Sequence, residues 1–223
     1  MSDGPIPGST PGSGADSAAP RRARMVAALA RRGIADRRVL WAMGRVPRHR
    51  YIDPSQDELA YDDRPVAIGS GQTISQPYIV ALMAEAAEVE PSDRVLEVGT
   101  GSGYGAAVLA CLAGRVWTIE RHRELADVAR ARLERDGYDN VTVIVGDGSR
   151  GWPPAAPFQA IVVTACPRTI PRDLLDQLDD GGRLIIPVGQ RRRIQTLVRV
   201  RRLGDELTRD DLGPVRFVPL ISD

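Results

Sequence analysis

The sequence predicts an α/β protein built on a doubly wound, mostly parallel sheet of seven strands, with helices before the sheet and an antiparallel ribbon closing it. Apolar stretches rich in Val and Ile alternate with helical patterns through the middle of the chain, which is typical of βαβ units. The first of these stretches runs into a glycine-rich turn, the place where such folds bind ligands. The last two apolar stretches have no helix between them, which favours antiparallel pairing.

The N-terminal part of the chain predicts helices and one long loop. Residues 1–20 are nearly all Gly, Pro, Ser, Ala and Asp, which bury too little apolar surface to become ordered, so we expect a disordered tail. Apolar residues at helical spacing predict two short helices within residues 21–46, the second capped by Asp36. Residues 48–78 are irregular, and a loop of that length is usually functional. A further helix is expected from Pro77 to about residue 88.

The rest of the chain predicts the sheet. The expected strands are, in chain order, residues 94–98, 115–119, 141–145, 158–164, 183–188, 196–200 and 215–220. The expected helices between them are residues 103–113, 122–136 and 171–179. Gly181-Gly182 is expected to turn the chain into the fifth strand. We therefore expect a single domain over residues 21–223, with the helices and long loop in 21–90 and the sheet in 91–223.

Composition excludes several classes of protein. The 223 residues include 30 basic and 29 acidic side chains, so we expect no general attraction to nucleic acid or to an anionic membrane. No apolar run approaches the roughly 20 residues of a membrane span, and no secretory signal is apparent. Two cysteines and two histidines provide neither a disulfide framework nor the spacing of a metal site. A soluble, cytoplasmic protein without a metal is expected.

The turn at residues 99–103 is the most informative feature of the sequence. Residues 94–98 have the apolar character of a strand that is covered on both faces. Gly99, Gly101 and Gly103 permit a tight turn and the close approach of a ligand to the backbone. A turn that merely joins a strand to a helix remains the alternative.

Three acidic residues lie at or near the ends of successive strands: Glu97, Glu120 and Asp147. Since ligands of such sheets bind beyond the carboxyl ends of the strands, we expect these acids to surround one adenosine-type cofactor. Glu120 suits the ribose hydroxyls and Asp147 the adenine amino group, because a carboxylate only accepts hydrogen bonds. Glu97 would repel a pyrophosphate but accept the positive charges of S-adenosylmethionine, which favours that cofactor over a dinucleotide.

The loop from Gly69 to Tyr78 combines glycines with short hydrogen-bonding side chains ahead of a helix. Gln72, Thr73 and Ser75 at a helix N-terminus favour an anion such as a carboxylate. An ordinary cap, with Ser75 as the N-cap and a proline in the first turn, explains the same residues equally well.

Several segments occur in an order that is found in one known family. They are residues 65–78 (PVAIGSGQTISQPY), 95–104 (VLEVGTGSGY), 146–148 (GDG) with 151–152 (GW), 156–158 (APF) and 215–220 (VRFVPL). With them the chain resembles the protein-L-isoaspartate (D-aspartate) O-methyltransferases from about residue 25 to residue 221. The GQTISQP segment at 71–77 is specific to that family, whereas methyltransferases share the glycine-rich turn broadly.

The resemblance implies the Rossmann-like fold of S-adenosylmethionine-dependent methyltransferases and a repair activity. The family esterifies the α-carboxyl of L-isoaspartyl residues in damaged proteins and peptides, and the ester then cyclises to a succinimide. The long loop would bind substrate, and Ser75 would be the active-site residue. The implied cofactor-binding residues are Thr73, Ile74, Glu97, Gly99, Gly101, Gly103, Glu120, Arg121, Asp147 and Gly148.

The chemistry of this reaction agrees with the residues. A carboxylate is already ionised at pH 7 and needs no general base. The enzyme then has to align the reactants and exclude water, for which glycines and hydroxyls are well suited. Ser75 is therefore expected to position the carboxylate rather than act as a nucleophile.

The chain departs from the family pattern at Cys166-Pro167-Arg168, where small residues are usual. The alternative substrate is therefore an aspartate of one dedicated precursor peptide, which some relatives convert to an aspartimide. A module that binds the cofactor or damaged peptides without turnover, and a nicotinamide dehydrogenase, are the remaining alternatives. The expected partners are isoaspartyl proteins or peptides, with no nucleic acid and no membrane, and the protein is expected to be a monomer.

Overall fold

Three helices and a small hairpin precede the sheet in the computed structural model, which describes residues 17–190 and 193–222. The helices and strands of this part are α1 (Ala19–Arg31), α2 (Arg37–Arg45), β1 (Val66–Gly69), β2 (Gln72–Ile74) and α3 (Pro77–Ala86). Two short 3-10 turns, Arg48–Tyr51 and Pro54–Leu59, lie within the predicted long loop. The antiparallel β1–β2 hairpin in that loop was not predicted.

The two N-terminal helices confirm the sequence pattern, although the first begins earlier than expected. The predicted tail lies outside the described residues as far as residue 16, but α1 starts at Ala19, after a buried Ala18. The Asp36 side chain caps α2 by accepting a hydrogen bond from the Arg38 N–H at 2.7 Å. The tail assignment was therefore wrong for its last residues.

Seven strands form the main sheet. They are β3 (Arg94–Val98), β4 (Arg115–Glu120), β5 (Val141–Val145), β6 (Phe158–Val163), β7 (Leu178–Val188), β8 (Gln195–Leu203) and β9 (Glu206–Val215), and the helices among them are α4 (Tyr104–Ala110), α5 (Arg123–Arg135) and α6 (Arg172–Asp176). Their spatial order is β5-β4-β3-β6-β7-β8-β9. The first five strands in this order, β5-β4-β3-β6-β7, pair in parallel. Strand β8 pairs antiparallel with β7, and β9 pairs antiparallel with β8. Strand order reverses between β3 and β6, and this switch point is where doubly wound sheets bind ligands.

Successive residues of the central strands face two separate cores. In β3, Val95 packs with the helices α1 to α4, whereas Leu96 packs with the opposite face. Both residues are fully buried, as expected for a parallel strand covered on both sides. No helix among the described residues is long and apolar enough to cross a membrane.

Two predicted elements at the C-terminal side were wrong in their limits. The predicted helix 171–179 is only α6, and β7 begins at Leu178 and continues through Gly181-Gly182, which were predicted as a turn. The antiparallel ribbon is confirmed, but its second strand is β9 and not the predicted 215–220. Residues 216–222 instead run as an irregular segment along the carboxyl edge of the sheet, with an isolated bridge between Cys166 and Pro219.

Candidate active site

The glycine-rich turn is held between two strands. The Gly99 N–H donates to the Ile119 carbonyl at the end of β4 at 2.8 Å. On the other side, the Thr164 hydroxyl after β6 donates to the Val98 and Gly99 carbonyls at 3.1 and 2.8 Å. Gly99 has a φ of 98°, and a Cβ there would overlap the Thr164 hydroxyl. Glycine is therefore required at position 99 for two reasons: the φ angle of the turn favours it, and a side chain would collide with Thr164.

Glu120 is oriented by the turn and by its own following residues. It is buried at the end of β4, and its two carboxylate oxygens accept the Gly101 N–H at 2.8 Å and the His122 N–H at 2.9 Å. These hydrogen bonds fix the carboxylate but leave lone pairs for a further donor. Glu120 is thus a fixed acceptor at the edge of the sheet, as a ribose would require.

Asp147 and Gly148 follow β5 at the same edge. An Asp147 oxygen accepts from the Ser149 N–H at 2.9 Å and from its hydroxyl at 2.7 Å, which caps the short 3-10 turn Gly148–Arg150. Gly148 is buried against Val98, and a Cβ there would overlap the Val98 side chain. Asp147 also lines a cleft with Trp152, beside Gly148.

The predicted cofactor residues meet in a cavity that we call the glycine-turn cavity. Its walls come from the hairpin, the glycine turn, the ends of β4 and β6, and the C-terminal segment. They are Gln72, Thr73, Val98, Gly99, Gly101, Ile119, Glu120, Arg121, His122, Gly148, Thr164, Ala165, Val218, Pro219, Leu220 and Ile221. Five predicted site residues besides Thr73 therefore line one space. Gly103 lies behind them as the N-cap of α4.

A second cavity, the Ser75 cavity, adjoins the first and has a volume of about 240 Å³. It is lined by Pro65, Thr73, Ser75, Gln76, Ile79, Thr164, Arg216, Phe217 and Val218. Three residues, Thr73, Thr164 and Val218, line both cavities and form the boundary between them. Ser75 thus faces a space separated from the glycine turn by a single layer of side chains.

The C-terminal segment that closes both cavities is anchored through Cys166. The Cys166 N–H donates to the Val218 carbonyl at 2.7 Å, and the Cys166 carbonyl accepts from the Leu220 N–H at 2.9 Å. The Gln195 side chain bonds both the N–H and the carbonyl of Phe217, at 2.6 and 3.1 Å. Cys166 is buried, which raises the pKa of its thiol. Cys166 therefore has a structural role, as expected for a small buried residue, and the unusual tripeptide 166–168 lines neither cavity.

The N-terminus of α3, which was predicted to attract an anion, already binds a carboxylate of the same chain. Gln76, not Ser75, is the N-cap of α3, and Pro77 is its first helical residue. The Tyr78 N–H in that first turn donates to the Asp63 carboxylate at 2.9 Å. The capping role considered for Ser75 was therefore wrong, and the amide of Tyr78 is engaged by Asp63.

Besides Gly103, two further predicted cofactor residues, Ile74 and Glu97, are absent from the walls of the glycine-turn cavity. Ile74 is buried in the core, where it pairs with Val66 across the hairpin. Glu97 is 1 % exposed beneath the turn, where the Thr118 hydroxyl donates to it at 2.6 Å. Its carboxylate lies against Gly105, where a Cβ would overlap it. Glu97 therefore does not line the glycine-turn cavity, and its contact with the cofactor stays a prediction.

The titration of Glu97 leads to a prediction for stability. Burial raises its pKa from the ordinary value of 4.5 to about 8, opposed by the Thr118 hydrogen bond and assisted by Glu120. Below pH 4.5 the carboxyl is protonated in both states, so its full contribution to stability is present. As the pH rises from 4.5 to about 8, only the unfolded chain loses the proton, and stability falls. Melting temperatures of Glu97→Gln between pH 5 and 9 should therefore fall less than those of the unmutated protein.

The exposed Glu134→Gln is the matched control, since it removes one carboxylate outside the core. Its melting curve should follow that of the unmutated protein across the pH range. Equal pH dependence in Glu97→Gln and Glu134→Gln would contradict the buried protonated carboxyl.

Thr164, Arg216 and Val218 are among the lining residues that were not predicted as site residues. Thr164 follows β6, and its role depends on its contact with the glycine turn. Arg216 and Val218 belong to the segment that was predicted as a strand. The only signal was the position of Thr164 at the carboxyl end of a parallel strand, where site residues gather.

Comparison with known proteins agrees with this geometry. The family model for protein-L-isoaspartate(D-aspartate) O-methyltransferase matches residues 20–223. A protein-L-isoaspartate O-methyltransferase of Protochlamydia amoebophila is 54 % identical over 195 residues, which cover 87 % of this chain and 93 % of the relative. Protein-L-isoaspartate O-methyltransferase 2 of Pelobacter propionicus is 56 % identical over 192 residues, covering 86 % of this chain and 85 % of that protein.

Solved structures show the same architecture. One protein-L-isoaspartate O-methyltransferase superposes with a TM-score of 0.81 at 28 % identity, over 90 % of this chain and 66 % of that one. A protein of Plasmodium falciparum, assigned as a beta-aspartate methyltransferase and solved with S-adenosyl-L-homocysteine, gives 0.79 at 29 % identity. That match covers 91 % of this chain and 99 % of the other. The chain therefore belongs to the protein-L-isoaspartate(D-aspartate) O-methyltransferase family.

Proposed function

We propose that the protein uses S-adenosylmethionine to methylate the α-carboxyl of L-isoaspartyl residues in damaged proteins and peptides. The observation that carries this proposal is the pair of cavities that meet at Thr73, Thr164 and Val218. One has the glycine turn and acid expected for an adenosine-type cofactor, and the other has a hydroxyl and a guanidinium. Family membership supports the same activity, and none of the relatives described above favours a dedicated precursor peptide.

The residues of the glycine-turn cavity fit the cofactor. Gly99 and Gly148 line the cavity without any side chain of their own, and Glu120 offers a fixed acceptor for ribose hydroxyls. Arg121 lies beside it, and Asp147 lies next to Gly148 in the adjoining cleft, where it suits the adenine amino group. When bound, S-adenosylmethionine supplies a methyl group activated by its positively charged sulfur.

The residues of the Ser75 cavity fit the acceptor carboxylate. The Ser75 hydroxyl donates one hydrogen bond, and Arg216 supplies a positive charge that suits a carboxylate. The substrate carboxyl is ionised at pH 7, so neither residue has to remove a proton. The C-terminal segment lines both cavities, so it adjoins the place where donor and acceptor would meet. Catalysis then depends on alignment and exclusion of water.

Two synthetic peptides, identical except for isoaspartate or aspartate at one position, test this function. Methyl transfer from labelled S-adenosylmethionine should have a kcat/KM about 10- to 200-fold higher for the isoaspartyl peptide, the usual discrimination for one displaced methylene. Equal rates for both peptides would overturn the substrate assignment. Cofactor binding without transfer to either peptide would instead favour a dedicated peptide substrate.

We extend the proposal to the setting in which the protein works. Cys111 and Cys166 are free thiols, which suits the reducing cytoplasm. Its partners are then isoaspartyl proteins and peptides, and the two cavities are built within one chain, as a monomer would need.

A further inference from the structure

The turn that carries Ser75 and Gln76 lies between two buried residues, Ile74 and Pro77. Before Ser75, Ile74 is buried in the core and paired with Val66. After Ser75, the chain leaves the hairpin and passes Gln76 before α3 begins at Pro77. Whatever holds Gln76 and the first turn of α3 therefore also sets the direction of the Ser75 hydroxyl.

Asp63 makes those contacts. One of its oxygens accepts the Tyr78 N–H at 2.9 Å, and the other accepts from the Gln76 side-chain amide at 3.5 Å. The carboxylate thus bonds residues one and three positions after Ser75. A carboxylate at a helix N-terminus is also favoured by the helix dipole.

Arg32 of α1 holds Asp63 in place. Its guanidinium pairs with the Asp63 oxygen that faces Gln76, and it stacks on the Tyr78 ring with 3.7 Å between the guanidinium carbon and the ring centroid. Both side chains are partly exposed, at 45 % for Arg32 and 37 % for Asp63. Exposed ion pairs contribute little to overall stability, so the main consequence of this cluster is local geometry.

Asp63 does not reach the reacting groups itself. It lines a separate groove between α1 and the segment around Tyr61, together with Pro77, and it is not part of the Ser75 cavity. Asp63 contacts the Ser75 cavity through the residues that it holds, Gln76 and the first turn of α3 next to Ser75.

We propose that Asp63 is a positioning residue of the methyltransferase, whose carboxylate fixes the Gln76–Tyr78 turn and thereby aims Ser75 into its cavity. This inference rests on the proposed function, because Ser75 is the residue whose geometry is set. Arg32 contributes to the same positioning, because it contacts both the Asp63 carboxylate and the Tyr78 ring.

Kinetics on the isoaspartyl peptide test the proposal with four variants: Asp63→Ala, Asp63→Asn, Ser75→Ala and the double variant Asp63→Ala/Ser75→Ala. Asp63→Ala should lower kcat about tenfold, the scale expected when a positioned group shifts, while the Kd for S-adenosylmethionine stays within about twofold. Asp63→Asn keeps an acceptor for the Tyr78 N–H and should recover most of kcat. In the Ser75→Ala background, Asp63→Ala should cost little more.

The neighbouring Asp62→Ala is the matched control, since Asp62 is also an exposed acid in the same segment. It should keep the kcat of the unmutated protein. Losses that add fully in the double variant, or a Kd that rises in step with the fall in kcat, would overturn the proposal. So would an Asp63→Asn variant that is no better than Asp63→Ala.

Hydrogen–deuterium exchange gives a readout that does not need activity. Amides of residues 75–80 should exchange faster in Asp63→Ala than in Asp62→Ala, with the sheet unchanged. An inactive unmutated protein would count against the proposed function, and exchange would still decide the role of Asp63. An active protein with unchanged kcat and exchange in Asp63→Ala would count against the positioning role alone.

Discussion

Gly99→Ala should destabilise the protein by about 2–6 kcal/mol and weaken S-adenosylmethionine binding on the order of 10- to 100-fold. A side chain at a φ of 98° costs about 1–3 kcal/mol, and the overlap of its Cβ with the Thr164 hydroxyl adds a similar amount. Thr164 cannot turn away without giving up its bonds to the Val98 and Gly99 carbonyls. Denaturant unfolding and calorimetric titration of the cofactor measure the two effects.

Gly137→Ala separates backbone strain from the overlap. Gly137 follows α5 with a φ of 78°, and a Cβ there would meet no atom within 4 Å. This variant should lose only the contribution of about 1–3 kcal/mol from backbone strain and bind the cofactor normally. If both variants lose the same stability and Gly99→Ala keeps its cofactor affinity, Thr164 does not support the turn as described.

Ser75→Ala should lower kcat for the isoaspartyl peptide by about 10- to 100-fold, the usual cost of losing one hydrogen bond to a charged group. Cofactor affinity should stay within about twofold, because Ser75 lines the second cavity and not the first. Single-turnover methyl transfer and cofactor titration together separate the two quantities.

Ser70→Ala is the control for that experiment. Ser70 is exposed at the tip of the same hairpin and lines neither cavity, so its loss should leave kcat unchanged. Unchanged turnover in Ser75→Ala would remove the positioning role. If Ser75→Ala lost cofactor affinity as well as turnover, Ser75 would instead be assigned a contact with the cofactor.

The central strands could be predicted because burial on both faces gives a strand a recognisably apolar sequence. Strands β3, β4 and β6 are covered on both faces, so their residues are mostly apolar. Strand β9 lacks that apolar pattern, because most of its residues are exposed and it carries charges along an open edge of the sheet. Residues 215–220 alternate as a strand would, but only Val215 belongs to a strand, and residues 216–220 line the cavities.

The residues of the candidate site likewise divide into those that the sequence predicts and those that depend on tertiary contacts. Glu120, Gly99 and Gly148 follow strands that the sequence locates, and all three line one cavity. The burial of Glu97 depends on the contacts with Thr118 and Gly105, which no spacing reveals. Arg216 enters the site only through the path of the C-terminal segment across the sheet.

Residues 218–221 form a wall of the glycine-turn cavity. Cofactor binding and the docking of the C-terminal segment are therefore thermodynamically coupled. This wall is attached to the sheet through the backbone of Cys166, and it lines the cavity that we propose binds S-adenosylmethionine. By thermodynamic reciprocity, any cofactor that contacts the docked wall favours docking by the same factor by which docking favours the cofactor. Changes that weaken the backbone hydrogen bonds between Cys166 and residues 218–220, although outside both cavities, should therefore lower the affinity of a cofactor that contacts the wall.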